Sequence, residues 1–171
     1  MSSNWEVAVA VDRLYRLMTK EDLDFLLVMG LQEHERFFRR NPHLQEAYHD
    51  NLIAICLCQG AALHYLDPRV EVKDFDIWHF YAENETVPFP YRAHSRLEDA
   101  YLGKPVNLLK RAIPRRIVNL NSGDPNRIVR TYLLERNSGT RRKPTQKAVL
   151  GLFPDRIFGA VLWHPPLWRH E

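Results

Sequence analysis

The sequence predicts an α+β domain in which helices pack against a small mixed β-sheet. Two patterns support this prediction: short apolar runs bounded by glycine or proline are typical of strands, and apolar residues three and four apart are typical of helices. The chain has 171 residues, of which 45% are hydrophobic and 26% are charged, a composition that suits one soluble domain. We therefore interpret residues 1–171 as a single domain whose N-terminal segment, about residues 1–51, is helical.

The N-terminal segment predicts two helices. Thr19 followed by Asp22 imitates a capping box, and leucines then recur at helical spacing, so we expect a helix within residues 12–40. Asn41-Pro42 ends this helix, because the residue before a proline is driven out of the helical region. A second helix is expected from there to about Asn51.

A strand, a short helix and a second strand follow. The apolar run 52–58 is a strand candidate, although periodicity alone also fits part of a helix. Residues 60–66 predict a short helix. Residues 75–81 are rich in aromatic and β-branched side chains, which favours a strand, and residues 82–95 predict a loop.

The C-terminal half predicts two more strands and two more helices. Residues 106–113 indicate a strand that Pro114 closes. Asp124 and Pro125 suit the N-cap and first position of a helix of about a dozen residues. The remaining predictions are a basic loop from Ser138 to Lys143, a helix over Thr145–Leu152 and a last strand over 157–163.

The charges are distributed unevenly along the chain. The net charge is +3, but residues 1–103 carry 17 acidic and 10 basic side chains, whereas residues 104–147 carry 12 basic and only 2 acidic ones. Such asymmetry indicates a face that attracts anions, with nucleotide phosphates and nucleic acid as the obvious candidates. No apolar run approaches the roughly 18–20 residues that span a bilayer, so no membrane partner is expected.

The cysteines and two histidines have structural interpretations. Cys56 and Cys58 lie one residue apart, complete no zinc pattern and predict small buried side chains on one face of a strand. Free cysteines fit a reducing compartment, and the N-terminus lacks the pattern of a secretory signal, so we expect a cytoplasmic protein. His64 and His79 lie near the chemical motif described next, but we interpret both as packed or surface residues rather than ligands.

The strongest chemical signal lies between Gly60 and Asp76. Gly60 lets the chain turn sharply from strand to helix, and the first turn of that helix offers backbone amides to a phosphate. Asp74 and Asp76 have the same parity on the next strand and are expected to project together. Two adjacent carboxylates suit a divalent cation such as Mg²⁺, although the pair is also compatible with an exposed strand entry.

This order of motifs resembles that of the nucleotidyltransferase superfamily, including its small, antitoxin-like members. That family has Gly-Gly or Gly-Ser at a strand-to-helix turn, Asp-x-Asp on the following strand and a third carboxylate on a later strand. In this chain the resemblance covers about residues 52–113. It implies a nucleotidyltransferase-like fold, binding of a nucleoside triphosphate with Mg²⁺ or Mn²⁺, and transfer of a nucleotidyl group to an RNA or protein acceptor.

The resemblance assigns a role to each motif position. Asp74 and Asp76 are the expected metal ligands and, with Asn107, the expected catalytic residues. The candidate nucleotide-binding residues are Gly60, Ala61, Lys73, Lys110 and Arg111. Two positions depart from the family pattern: Ala61 replaces the second glycine or serine, and Asn107 stands where the third carboxylate is expected.

Asn107 leaves two further hypotheses open. Asparagine cannot act as a general base at neutral pH, so this chain could be a catalytically degenerate binding or regulatory protein of the same fold. The other alternative is a nucleic-acid-binding module that uses the basic region 104–147. The sequence favours metal-dependent nucleotidyl transfer among the three, because the glycine turn and the aspartate pair occur in the order that this chemistry requires.

Overall fold

The computed structural model describes residues 17–91, 93–137 and 148–164. The strands are Leu52–Cys58 (β1), Phe75–Ala82 (β2), His94–Tyr101 (β3), Lys104–Ile113 (β4), Val149–Phe153 (β5) and Val161–Trp163 (β6). They form one open sheet in the order β3-β4-β2-β1-β5-β6. Strands β2 and β4 are parallel, and every other neighbouring pair is antiparallel. The predicted mixed sheet with packed helices is therefore confirmed.

The helices of the described residues lie on both sides of this sheet. They are Lys20–Arg40 (α1), Gln45–Tyr48 (α2), Gln59–Leu66 (α3), Arg115–Leu120 (α4) and Pro125–Asn137 (α5). Short 3₁₀ segments cover Pro42–Leu44, His49–Asn51 and Asp155–Ile157. The predicted second helix over 42–51 is thus a succession of 3₁₀ and α turns. No helix in the described part of the chain combines the length and the apolar character that a bilayer crossing needs.

Helix α1 begins where its capping residues predict. The backbone N–H of Thr19 donates a hydrogen bond to Oδ2 of Asp22 at 2.8 Å, and the turn has the reciprocal contact of a capping box. Leu23 and Leu26 are fully buried against the sheet. The helix ends before Asn41-Pro42, as predicted, whereas the expected start at residue 12 lies outside the described residues.

The sheet has a hydrophobic core on each face, because successive strand residues point in opposite directions. On one face, α1 and α3 cover a set of strand residues that comprises Ile55, Leu57, Phe75, Ile77, Val106 and Leu108. On the other face, α4 and α5 cover Ala54, Cys56, Cys58, Trp78 and Phe80. The cysteines are free and fully buried, and they share this second face, which confirms the structural interpretation of both.

His64 and His79 are both buried, which is one of the two environments that the sequence leaves open. His79 is completely inaccessible, and its Nε2 lies 2.8 Å from the carbonyl oxygen of Gly30 on α1. His64 packs within α3, where its Nδ1 lies 2.5 Å from the carbonyl oxygen of Val70. Both rings therefore contact backbone groups of the domain.

One predicted helix is wrong. The second half of the segment 145–152 forms strand β5, in which Val149 and Leu150 pair with Cys58 and Leu57 of β1. A short apolar run fits a strand or a helix equally well, and pairing with β1 decides between them here. Residues 145–147 and the predicted basic loop 138–143 lie outside the described residues. The last strand is shorter than predicted, because Asp155–Ile157 forms a 3₁₀ turn and β6 begins only at Val161.

Two elements are absent from the sequence prediction. Strand β3 begins at His94, inside the predicted loop 82–95, and helix α4 follows β4 directly after Pro114. Strand β3 lies at the edge of the sheet and carries charged side chains that face solvent, so it has no apolar run to reveal it. This strand matters for function because it borders the predicted site.

Candidate functional site

The three predicted catalytic side chains lie together at one end of the sheet. Asp76 on β2 is in register with Asn107 on the parallel strand β4, and Asp74 immediately precedes β2. The side-chain amide of Asn107 donates hydrogen bonds to Oδ1 of Asp76 at 3.1 Å and to Oδ2 of Asp74 at 3.3 Å. The expected convergence of the two aspartates is therefore present, and Asn107 connects them.

Strand β3 adds two side chains that the sequence prediction missed. His94 Nε2 and Arg96 Nη1 lie 3.3 and 3.2 Å from Oδ1 of Asn107. Arg96 is in register with Asn107 and also contacts Glu98 through its Nε at 2.7 Å. The sequence signal for these residues is slight: charged side chains alternate with Ser95 and Leu97 over residues 94–98, and Asp99 then breaks the alternation.

The electrostatics of this cluster favour a cation. Burial and then the neighbouring charge of Asp74 raise the pKa of Asp76 to about 6, and Asn107, His94 and Arg96 only partly offset this rise. A carboxylate whose ionised form is disfavoured in this way is stabilised by an added positive charge. Carboxylate oxygens are hard ligands of the kind that Mg²⁺ prefers, so Asp74 and Asp76 fit such an ion.

The strand-to-helix turn lies beside the aspartates, although its geometry differs from the prediction. Cys58 at the end of β1 pairs with Asp76 at the start of β2. The start of α3 therefore lies at the same end of the sheet as the aspartates. The left-handed backbone conformation falls on Gln59, with φ of 63°, and Gly60 has no positive φ. The nearest atom to a Cβ built on Gly60 is the carbonyl oxygen of Glu71, at 4.0 Å. Gly60 therefore leaves open space in the first turn of α3 instead of making the turn.

Ala61 takes a different part from the one predicted by its motif position. Its side chain is fully buried in the core beneath α3. It therefore faces the interior of the domain, and only its backbone N–H is left for contact with a phosphate. The small side chain at this position is explained by packing between α3 and the sheet.

Lys110 is not brought to the aspartates. On β4 it points to the face opposite Asn107 and is 1% exposed beneath α1, where its ammonium group forms an ion pair with Glu33. Its Nζ also donates a hydrogen bond to Ser95 Oγ at 2.9 Å. Burial raises the pKa of Glu33, but hydrogen bonds from Lys110, Ser95 and Arg40 outweigh it and lower the pKa to about 2. Lys110 therefore forms a buried ion pair with Glu33 on the face opposite the aspartates.

Lys73 and Arg111 have different relations to the site. Lys73 is exposed and precedes Asp74 directly. Arg111 shares the face of Asn107, but four residues of strand separate them by about 13 Å. Its guanidinium lies 5.3 Å from the centre of the Trp78 ring. Of these two cations, only Lys73 is adjacent to the carboxylates.

Arg111 borders a separate groove at the far end of β4. The groove has a volume of about 810 Å³. The aspartates do not line it. Its charged and aromatic lining comprises Glu83, Glu85, Phe89, Tyr91, Lys110, Arg111, Tyr132 and Arg136.

The basic region 104–147 is divided among several environments in its described part. Lys110 is buried with Glu33, and Arg116 on α4 forms a bidentate pair with Glu135 at 2.9 and 2.7 Å. Arg136 lies 6.0 Å from the Trp78 ring. These positive charges are engaged within the domain, which lessens support for a single nucleic-acid surface along this region.

Comparison with known proteins does not identify a family. No protein-family model, no curated protein and no solved structure matches this chain significantly. The resemblance to nucleotidyltransferases therefore depends on the motif residues of the sequence alone.

Proposed function

We propose that this chain binds a nucleoside triphosphate together with Mg²⁺ or Mn²⁺ at Asp74 and Asp76, and transfers its nucleotidyl group to a hydroxyl of an RNA or protein acceptor. The observation that supports this proposal best is the juxtaposition of Asp74, Asp76 and Asn107 at the sheet edge where α3 begins. The proposal includes a nucleotidyltransferase-like arrangement of the sheet, with the aspartate strand between the turn and the Asn107 strand.

Each neighbouring group has a use in binding the triphosphate. Asp74 and Asp76 would hold the metal ion, which neutralises phosphate charge and orients the reacting phosphoryl group. The amide of Asn107 fixes the two carboxylates relative to each other. The first turn of α3 offers backbone N–H groups at Gly60, and Lys73 adds positive charge beside Asp74.

Transfer also needs a proton acceptor, and His94 can supply one. In the proposed step, the acceptor oxygen attacks the α-phosphorus, the bond from that phosphorus to the bridging oxygen breaks, and pyrophosphate leaves. The proton of the attacking hydroxyl goes to Nδ1 of His94, because Nε2 of the same ring donates a hydrogen bond to Asn107 Oδ1 at 3.3 Å. His94 would thus take the part that the absent third carboxylate takes in the family pattern.

Nucleotide affinity is expected to depend on the aspartates. Asp76→Asn keeps the shape of the side chain but removes its charge, so the affinity for a nucleoside triphosphate in Mg²⁺ should fall at least about tenfold, or 1.4 kcal/mol. Isothermal titration with each of the four ribonucleoside triphosphates, with and without Mg²⁺, measures the change. Asp24→Asn, at an exposed position of α1, is the matched control and should bind as the wild type does. Equal affinity of wild type and Asp76→Asn would refute the proposed binding site.

A second candidate function is nucleotide binding without turnover, and the presence of Asn107 at the third carboxylate position favours it. The two candidates separate when nucleotides labelled at the α-phosphate are incubated with total RNA and total protein. Transfer predicts incorporated label that falls at least about a hundredfold in His94→Gln, with nucleotide affinity unchanged, because general-base catalysis contributes roughly this factor or more. Binding by the wild type without incorporation in Mg²⁺ or Mn²⁺ would instead support the second candidate. A gain of incorporation in Asn107→Asp would indicate a degenerate catalytic site.

A further inference from the structure

A second cluster of potential metal ligands lies between α1 and the 3₁₀ segment His49–Asn51. It consists of His34 and Glu35 on α1 and His49 on the 3₁₀ segment. One ligand atom from each residue can be chosen so that all three atoms lie within 4.8 Å of one another. These residues have no part in the proposed nucleotide site.

The two imidazoles are oriented by oxygen atoms on their Nδ1 side. His34 Nδ1 lies 2.8 Å from the hydroxyl of Tyr81, and His49 Nδ1 lies 3.0 Å from Oδ1 of Asp50. Histidines that bind metals commonly donate their second ring N–H to an oxygen in this way, which fixes the ring and leaves the other nitrogen as the ligand. If each ring keeps its proton on Nδ1 and loses the one on Nε2, the Nε2 atom becomes the metal ligand.

The third ligand converges on the same point. His49 Nε2 lies 3.0 and 3.2 Å from the two carboxylate oxygens of Glu35. His34 is buried, whereas the side chains of His49 and Glu35 are 24% and 58% exposed. The cluster is therefore fixed in the interior at His34 and accessible to solvent at His49 and Glu35. A metal ion would replace the hydrogen bond between His49 Nε2 and the Glu35 carboxylate.

Aromatic packing holds the base of the cluster in place. The ring of Phe38 meets the His34 and His49 rings edge to face, with centroids 5.2 and 5.3 Å apart, and Tyr81 stacks on His34 at 5.7 Å. The imidazoles are therefore held by groups that do not compete as ligands. Such an apolar surround limits solvent access and strengthens the binding of an ion at the mouth.

We propose that His34, Glu35 and His49 bind a divalent transition-metal ion of the Zn²⁺ type. Two nitrogens and one carboxylate oxygen suit Zn²⁺ in a tetrahedral site whose fourth position is open to water. Mg²⁺ prefers oxygen ligands alone, so it should not compete here. The ion would connect α1 to the segment that follows α2.

The test uses the metal-free chain, prepared without a histidine tag, and titration with Co²⁺ and Zn²⁺. Visible absorption is expected to show the bands of tetrahedral Co²⁺ at about one equivalent, with micromolar or tighter affinity and displacement by Zn²⁺. His49→Asn and Glu35→Gln, both at accessible positions, should each weaken binding at least about tenfold. His43→Asn, at an exposed histidine just after α1, and the double variant Asp74→Asn/Asp76→Asn should bind Co²⁺ as the wild type does.

Three results would overturn this proposal. One is the lack of saturable Co²⁺ and Zn²⁺ binding by the wild type at micromolar concentrations, which would leave His49 as a simple hydrogen-bonded link between Glu35 and Asp50. Another is wild-type affinity in both His49→Asn and Glu35→Gln, with far-ultraviolet circular dichroism confirming that the variants are folded. Loss of Co²⁺ binding in the double aspartate variant alone would place the ion at the other site and would also refute it.

Discussion

Replacing Lys110 by methionine is expected to lower the free energy of unfolding by about 3–5 kcal/mol, because it leaves a buried charge without its main partner. The carboxylate of Glu33 is 1% exposed and would retain Ser95 Oγ at 2.6 Å and Arg40 at 2.9 Å, but would lose the ammonium group. Denaturant unfolding followed by circular dichroism measures the loss. Nucleotide affinity should not change in the folded variant, because Lys110 lies on the other face from Asp76.

The double variant Glu33→Gln/Lys110→Met is the matched control. Removing both charges avoids the buried unpaired carboxylate, so the double variant should be clearly more stable than Lys110→Met alone. If Lys110→Met stays within about 1 kcal/mol of the wild type, the ion pair is not the buried contact described here. A fall in nucleotide affinity without a loss of stability would instead show that Lys110 contributes to nucleotide binding.

His79 is expected to make the fold less stable in acid. Burial lowers its pKa from 6.5 to about 4. Between these two values the imidazole is protonated in the unfolded chain but neutral in the folded chain. Its contribution to stability is complete above pH 6.5 and is lost as the pH falls, with a loss of about 3 kcal/mol by pH 4. Two charged groups also act on the pKa of His79: the positive charge of Lys110 lowers it and the negative charge of Glu33 raises it.

Comparison with His79→Gln isolates this contribution. Glutamine keeps a donor for the carbonyl oxygen of Gly30 but does not titrate, while Asp76 and the other acids titrate in both proteins. Urea unfolding at intervals between pH 7 and pH 4 should show the wild type losing stability faster than the variant. Parallel stability curves would mean that His79 is not protonated on unfolding in this range.

The elements that local sequence predicts correctly are those that carry their own apolar pattern. Strands β1, β2 and β4 and helices α1, α3 and α5 all have such patterns, and α1 and α5 also begin at capping residues. The parity of Asp74 and Asp76 correctly predicts their convergence. The position of Asn107 beside Asp76 follows from the parallel pairing of β2 with β4.

The features that sequence does not reveal depend on distant partners. Lys110 can be buried because it forms an ion pair with Glu33, which is far away in the chain. A lysine in a basic run gives no sign of such a partner. His94 and Arg96 reach the site through an edge strand without an apolar run. The left-handed backbone conformation, which usually falls on a glycine, is adopted here by Gln59. The sharp turn therefore lies one residue before Gly60.

The central claim is that a metal–nucleotide complex binds at Asp74 and Asp76, and the most direct measurement is the thermal unfolding midpoint. It is recorded for the wild type and for Asp74→Asn/Asp76→Asn, with each nucleoside triphosphate and with Mg²⁺, Mn²⁺ or neither. A ligand at a hundredfold excess over its dissociation constant stabilises the folded state by roughly 2.7 kcal/mol, so the wild-type midpoint should rise only when metal and nucleotide are both present. The double variant should show no rise. An equal rise in both proteins, or none in the wild type with any nucleotide, would contradict the claim.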